Sequence, residues 1–234
     1  MKIKDSSFNM TTGSPLKNIL IFAIPIMMSG LIQQGYNVAD TYIVGQYISA
    51  DALAAVGSVG PMSSLLMGLA MGVTGGFAIP IAQAFGAGDQ KRTNHYAGNA
   101  VALTIIISLT IMSLSLFLVK PILTLLGTPN EIFADARLYV SIIYAGAIFT
   151  TLYNVLASIL RALGDSKAPL KFFFFFAVLN VFLNYFTIAI LGMGVDGAAI
   201  STVLSQLVSC ILCVIYIRNR KEMLNITLKN LKIK

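Results

Sequence analysis

An all-α integral membrane protein built as a six-transmembrane-helix bundle is the fold this sequence predicts, and three observations carry that prediction. Hydrophobic residues make up 57% of the 234 positions and charged residues only 11%. The mean hydropathy of +0.83 lies far above that of an ordinary soluble chain. Six apolar stretches, separated by short polar loops, each reach the roughly 20 residues that cross a hydrocarbon core of about 30 Å. None of them alternates as a barrel strand does, and backbone amides in lipid must be satisfied within their own segment, so the stretches are helices.

The predicted spans run over about 16–45, 53–84, 95–119, 132–160, 169–191 and 195–217. They divide the chain into an amino-terminal segment 1–15, a membrane bundle 16–217 and a basic tail 218–234. The first apolar run is long, carries Pro25 and continues into polar residues without a small-residue cleavage pattern, so it is expected to remain as helix 1 rather than to be removed. Placing the amino terminus inside puts 14 of the 16 basic residues in cytoplasmic loops and leaves only Lys120 and Arg137 outside. That bias predicts two cytoplasmic termini and a multi-pass protein of the plasma membrane. The net charge of +7 then reflects topology and contact with anionic lipid, and no basic domain stands apart to bind nucleic acid.

Helix 1 holds the most informative residues. Asp40 lies among Gln33, Gln34, Tyr36, Asn37 and Thr41 near the end of an apolar run. An ionisable group in a membrane helix is expensive and by default marks a proton, ion or substrate path. Gln33, Asn37 and Asp40 are spaced i, i+4, i+7, and Tyr36 with Asp40 is i, i+4, so these side chains share a face that is expected to line a cavity. A carboxyl in apolar surroundings favours its neutral form, which lets it take up and release a proton. A sodium ion can use the same carboxylate with nearby amide and carbonyl oxygens. Pro25 removes a backbone hydrogen bond and permits a bend, read either as a hinge or as a static kink.

In helix 2 the series Gly57, Gly60, Gly68, Gly72, Gly75 and Gly76 predicts close helix packing. The loop 86–92 is glycine-rich and basic but lacks the strand and the Gly-Lys-Ser/Thr element of a phosphate loop. His95 beside it is expected at the surface or interface. Asn154 in helix 4, Asn180 and Asn184 one turn apart in helix 5, and Ser201, Thr202 and Gln206 in helix 6 are further polar groups in apolar spans. They either line a cavity or join helices through hydrogen bonds worth about 1 kcal/mol. Arg161 and Asp165 are expected to pair across a turn that fixes two helix ends. The aromatic run 172–176 covers every helical face, so most of it meets lipid or neighbouring helices. Cys210 and Cys213 have redox spacing but lie inside an apolar helix. With two cysteines and one histidine there is no material for a disulfide framework or a multi-ligand metal site, and no cofactor is expected. Nor do histidines and acids converge as in a membrane enzyme.

Several of these segments carry a resemblance. The run 38–45, Val-Ala-Asp-Thr-Tyr-Ile-Val-Gly, followed by Ala52-Leu-Ala-Ala-Val-Gly57, resembles the first helix and loop of the multidrug and toxic compound extrusion (MATE) family. Ala82-Gln-Ala-Phe-Gly-Ala-Gly-Asp89 is similar to the loop after that family's second helix. Leu160-Arg-Ala-Leu-Gly-Asp165, Pro169, Asn180, the run 194–200 and Thr202 resemble its segment from helix 4 to helix 6, in order. The resemblance implies an antiporter that expels organic, often cationic, drugs in exchange for H+ or Na+, using two six-helix lobes that rock about a central cavity. Asp40 matches the acid of the amino-terminal lobe and Pro25 the bend in the same helix. Gln33, Tyr36, Asn154, Asn180 and Thr202 match cavity positions of the DinF-like branch. At Asn184 that branch often has an acid, so here Asp40 lacks a carboxylate partner.

Members of the family usually have twelve helices. Six helices and a basic tail that resembles the inter-lobe linker imply the amino-terminal lobe, completed by a carboxyl-terminal half, a second copy or a separate chain. Two alternatives stay open at the level of sequence: a lipid-linked saccharide flippase of the wider superfamily, and a truncated lobe that binds a partner without transporting.

Overall fold

The computed structural model describes residues 14–220 and Leu224; the amino-terminal segment and the rest of the basic tail lie outside the described residues. The described chain is almost wholly helical: α1 Pro15–Tyr47, α2 Ala50–Ser58, α3 Gly60–Gly86, α4 Gln90–Leu125, α5 Asn130–Ala145, α6 Ala147–Ala162, α7 Lys167–Asn184 and α8 Val195–Asn219. A π-helical turn, Tyr185–Ile190, continues α7. Among the described residues five stretches are long and apolar enough to span a membrane, and the α5–α6 pair makes a sixth if counted as one span.

Two predicted helices are broken. The expected second span divides at Val59, between Gly57 and the Gly60-Pro61 step, because proline cannot donate into the preceding turn and is accommodated at the start of α3. The expected fourth span bends by 45° between α5 and α6 at Gly146. There α8 comes so close that a β-carbon on Gly146 would meet Val203 Cγ1 at 2.7 Å. Only glycine admits that approach.

Two turns between helices show how local chemistry sets helix ends. Gly88 and Gly164 adopt φ of +72° and +84°, the left-handed region that glycine enters without penalty, and so close α3 and α6. Each is followed by an aspartate that opens the next helix. Asp89 accepts a bond from the Arg92 N–H at 2.9 Å and Asp165 one from the Ala168 N–H at 3.0 Å. The expected Arg161–Asp165 pair is not what forms. Asp165 instead faces Arg220 at 3.9 Å and accepts from the Tyr216 hydroxyl at 2.7 Å, both from the end of α8.

Packing is layered. α3 lies against α4 and α6, α7 against α1 and α8, and α5 against α2, α4 and α8. The largest apolar cluster joins α3, α4, α6 and α8 through Ile81, Ala97, Leu156, Ile159 and Cys213, so both cysteines are buried packing residues. The phenylalanine run divides as expected. Phe176 is buried, Phe172 stacks edge-on against Tyr216, and Phe174 and Phe175 are exposed. The helix-2 glycines, in contrast, do not mediate close packing: at Gly57, Gly60, Gly68, Gly72, Gly75 and Gly76 a β-carbon would meet nothing within 4 Å. Close approaches occur instead at Gly146 and at Gly197, where Thr187 Oγ1 would lie 3.2 Å away.

Candidate functional site

The polar residues of the spans gather in two places. The first is a cluster where α1, α7 and α8 meet. Asp40 of α1 is half-buried and accepts a hydrogen bond from the side-chain amide of Asn184, which is fully buried at the end of α7. One turn earlier, fully buried Asn180 donates its amide to Thr202 Oγ1 at 3.1 Å, and the Thr202 hydroxyl donates to the Ala198 carbonyl at 3.0 Å. Spacing of i, i+4 puts both asparagines on the same side of α7. The side-chain oxygens of Asn180 and Asn184 are buried and have no hydrogen-bond partner among the described residues. A buried acceptor left unpaired costs about 1–3 kcal/mol, so the cluster holds unspent acceptor capacity beside a carboxylate.

Local structure accounts for this geometry. Immediately after Asn184 the helix widens into the π turn, where Thr187 Oγ1 lies 3.2 Å from the Gly197 carbonyl and 3.0 Å from the Ser201 hydroxyl. Such bulges recur at functional sites. Tyr36, one turn before Asp40, stacks edge-on against Phe176 and Phe173 of α7, with ring centroids at 5.2 and 6.2 Å. Tyr139 of α5 packs beside this region, against the apolar cluster of Ile43, Val44, Val195 and Ala198. Sequence reasoning missed Tyr139, since nothing in the pattern of α5 separates it from its neighbouring tyrosines.

The second place is a cleft of about 640 Å³, walled mainly by α1, α3 and α6. That volume suits a drug-sized molecule. Gln33 and Asn154 both line it, together with Thr150, Ser158, Arg161 and Gln206. Asn154 spends its amide on the Thr150 carbonyl of its own helix at 2.9 Å. Phe22, Ile26, Met67, Met71 and Phe173 supply apolar wall. Arg161 is the one charged residue among those lining it; Asp40 is not part of its wall.

Asn37 joins neither group. It is exposed and donates to the Gln34 side chain at 3.3 Å. Pro25 is buried, and α1 runs unbroken through it. Its carbonyl accepts from the Ser29 hydroxyl at 3.0 Å. His95 is half-buried, with Nε2 3.2 Å from the Asn99 amide. Among the described residues no group of His, Cys, Asp and Glu is arranged to hold a metal.

Known proteins share this arrangement of helices. The probable multidrug resistance protein YpnP of Bacillus subtilis is 31% identical over 215 residues, which cover 92% of this chain and 48% of that protein. The probable multidrug resistance protein NorM of Thermotoga maritima is 29% identical over 210 residues, 88% of this chain and 45% of that protein. A solved structure described as the outward-facing conformation of a multidrug resistance MATE family transporter superimposes with a TM-score of 0.88 at 30% identity, over 95% of this chain and 49% of that one. The chain therefore spans about half the length of the curated relatives it matches. The sequence pattern of the MatE family fits residues 25–186, taking in the Asp40 cluster up to Asn184 and most of the cleft wall, and the chain belongs to that family.

Proposed function

We propose that this chain is the amino-terminal lobe of an antiporter that expels organic compounds in exchange for H+ or Na+. The reading rests above all on the cluster in which Asp40 meets Asn184 while two buried amide oxygens stand unpaired. A cation is what that set of atoms lacks. A proton on Asp40 turns the carboxylate into a donor for an amide oxygen, and a sodium ion gathers the carboxylate, the two amide oxygens and the Thr202 hydroxyl as ligands. Rotation of the Asn184 amide exchanges its donor for its acceptor and makes either state accessible. No cofactor enters this scheme.

Cation arrival neutralises Asp40 and removes its need for the Asn184 donor, which alters how α1 seats on α7. α1 also carries Phe22, Ile26 and Gln33 into the cleft, so its movement changes the substrate wall. Pro25, with no N–H to hold the preceding turn, is the position where α1 yields most readily. A monovalent cation moving inward releases about 2.3 kcal/mol per 100 mV of membrane potential. The distribution of basic residues supports a plasma-membrane protein with both termini cytoplasmic. Alternating access needs a second bundle to move against, supplied by a carboxyl-terminal half, a second copy or a separate chain.

Export of fluorescent organic compounds of either charge, ethidium and a dansylated fatty acid, from vesicles of the native membrane tests the proposal. Wild-type export should depend on an imposed proton or sodium gradient, and Asp40→Asn should abolish that dependence while the protein remains folded and membrane-inserted. Unchanged gradient-driven export in the variant would refute the assignment. Imposing the two gradients separately identifies the ion.

A further inference from the structure

Arg161 is the next-to-last residue of α6, and its side chain forms part of the cleft wall. Its Nη2 donates to the Ser158 hydroxyl, one turn back, at 3.0 Å. A guanidinium has five N–H donors, so most of its capacity remains for other partners. The acid nearest in sequence is already engaged. Asp165 accepts from the Ala168 N–H and the Tyr216 hydroxyl and faces Arg220. Among the described residues the ion pairs are Asp89 with Arg92 and Asp165 with Arg220, and Arg161 takes part in neither.

Among the described residues no carboxylate compensates this half-buried cation facing an apolar cleft. We infer that the cleft takes amphiphilic organic anions, with a carboxylate or phosphate head on the Arg161 guanidinium and an apolar body along Phe22, Met67, Met71 and Phe173. Charge-assisted hydrogen bonds from a planar fork are the strong, oriented kind, and Ser158 fixes one arm of that fork so that the rest faces the cleft. Gln206, whose side chain also reaches the wall, offers a neutral amide to the same head group. This preference is opposite in sign to the organic cations implied by the family resemblance. The competing explanation is that Arg161 only offsets the dipole at the carboxyl end of α6, a contribution of about 0.3–1 kcal/mol that requires no ligand.

The inference rests on the reading of the cleft as the substrate site, and one titration separates the two. The transporter is extracted in neutral detergent through a tag on this chain, with whatever second lobe accompanies it. It is titrated with the fluorescent amphiphile 11-(dansylamino)undecanoic acid and with its methyl ester, subtracting signal from empty micelles. The acid should bind at least about tenfold more tightly than the ester, as a charge-assisted hydrogen bond requires. Arg161→Gln should erase that preference, Arg161→Lys should keep part of it, and Arg92→Gln, in the exposed first turn of α4, should leave it intact. Equal binding of acid and ester in the wild type overturns the inference without any variant, so the test stands even if Arg161→Gln fails to fold. A preference that survives Arg161→Gln overturns it too. Binding of neither probe removes the cleft as substrate site and takes both readings with it. Displacement of the acid by phosphatidylglycerol but not by dodecanoate identifies the natural anion as a lipid head group, and the reverse identifies a free organic acid; either result keeps Arg161 as its partner.

Discussion

Replacing Gly146 by alanine tests whether the bend in the α5–α6 span is held by contact with α8. The added β-carbon would lie 2.7 Å from Val203 Cγ1 and 3.0 Å from Val203 Cβ, with Cγ2 nearer still. Rotating a β-branched side chain does not clear a clash that includes its own Cβ, so a helix must shift. Overpacking of this kind costs about 1–3 kcal/mol. Against it stands the gain of about 0.4–1 kcal/mol from replacing glycine where alanine adopts the same backbone, as it does at φ −85° and ψ −2°. Taking the middle of each range, the net loss is about 1.3 kcal/mol, and at about 2–4 °C per kcal/mol for a chain of this size the midpoint should fall by roughly 3–5 °C. The chain has no tryptophan but has two cysteines, both buried, so a fluorogenic maleimide that labels them on unfolding reads the transition. In a Val203→Ala background only the 3.0 Å contact to Cβ survives, so the same glycine substitution should cost about 1–2 kcal/mol less, a coupling between the two sites. A Gly146→Ala protein as stable as wild type with Val203 in place would refute the assignment of the bend to this contact.

Three further outcomes follow from polar contacts that join α6, α7 and α8. Asp165→Ala removes the acceptor for the Ala168 N–H and the Tyr216 hydroxyl at a buried position, and should cost about 2–3 kcal/mol in the maleimide assay. Arg220→Gln, which weakens the partly exposed 3.9 Å pair and the approach of the guanidinium to within 4.6 Å of the Tyr216 ring centroid, should cost less than Asp165→Ala. Tyr153→Phe deletes a buried hydrogen bond of 2.9 Å to the Pro169 carbonyl and should lower stability by about 1–2 kcal/mol, with no loss if that hydroxyl is not needed to join α6 to α7.

The spans were legible in the sequence because burial in lipid demands long apolar runs whatever the neighbouring helices do. What the sequence hid depends on partners distant along the chain. The bend at Gly146 requires Val203 on α8, and nothing local to Gly146 announces it. Arg161 and Asp165 look like a pair because they are one turn apart, yet Arg220, which arrives from the other end of α8, takes the acid. The helix-2 glycines have the spacing of a packing motif but face open space, and one of them, Gly75, lines the cleft. At the Asp40 cluster the i, i+4 relation of Asn180 and Asn184 was readable. Their division of labour, one amide to Thr202 and one to Asp40, required the tertiary arrangement of α1 and α8.

Helical geometry also explains why the polar face of α1 divides. At about 100° per residue, Asp40 lies only about 20° from Gln33, while Tyr36 and Asn37 fall about 60° and 40° away on opposite sides. α7 packs on the Tyr36 side, so Tyr36 and Asp40 engage it and Asn37 is left exposed. Gln33 and Asp40 are then about 10 Å apart along one rigid helix, one at the cleft wall and the other at the proposed cation site. Tyr36 is the side chain between them, and its contact with Phe173, itself part of the cleft wall, offers the shortest packed route from one to the other. Tyr36→Leu should therefore leave cation binding and probe binding each measurable while weakening the factor by which one alters the other. Coupling between sites is typically worth about 1–3 kcal/mol, or about 5- to 150-fold in affinity, and the variant should bring that factor close to unity. The readout is the dansyl-probe affinity with and without the coupling ion. A factor unchanged by Tyr36→Leu means that the signal passes through movement of α1 as a whole, and the Tyr36–Phe173 contact is then only packing.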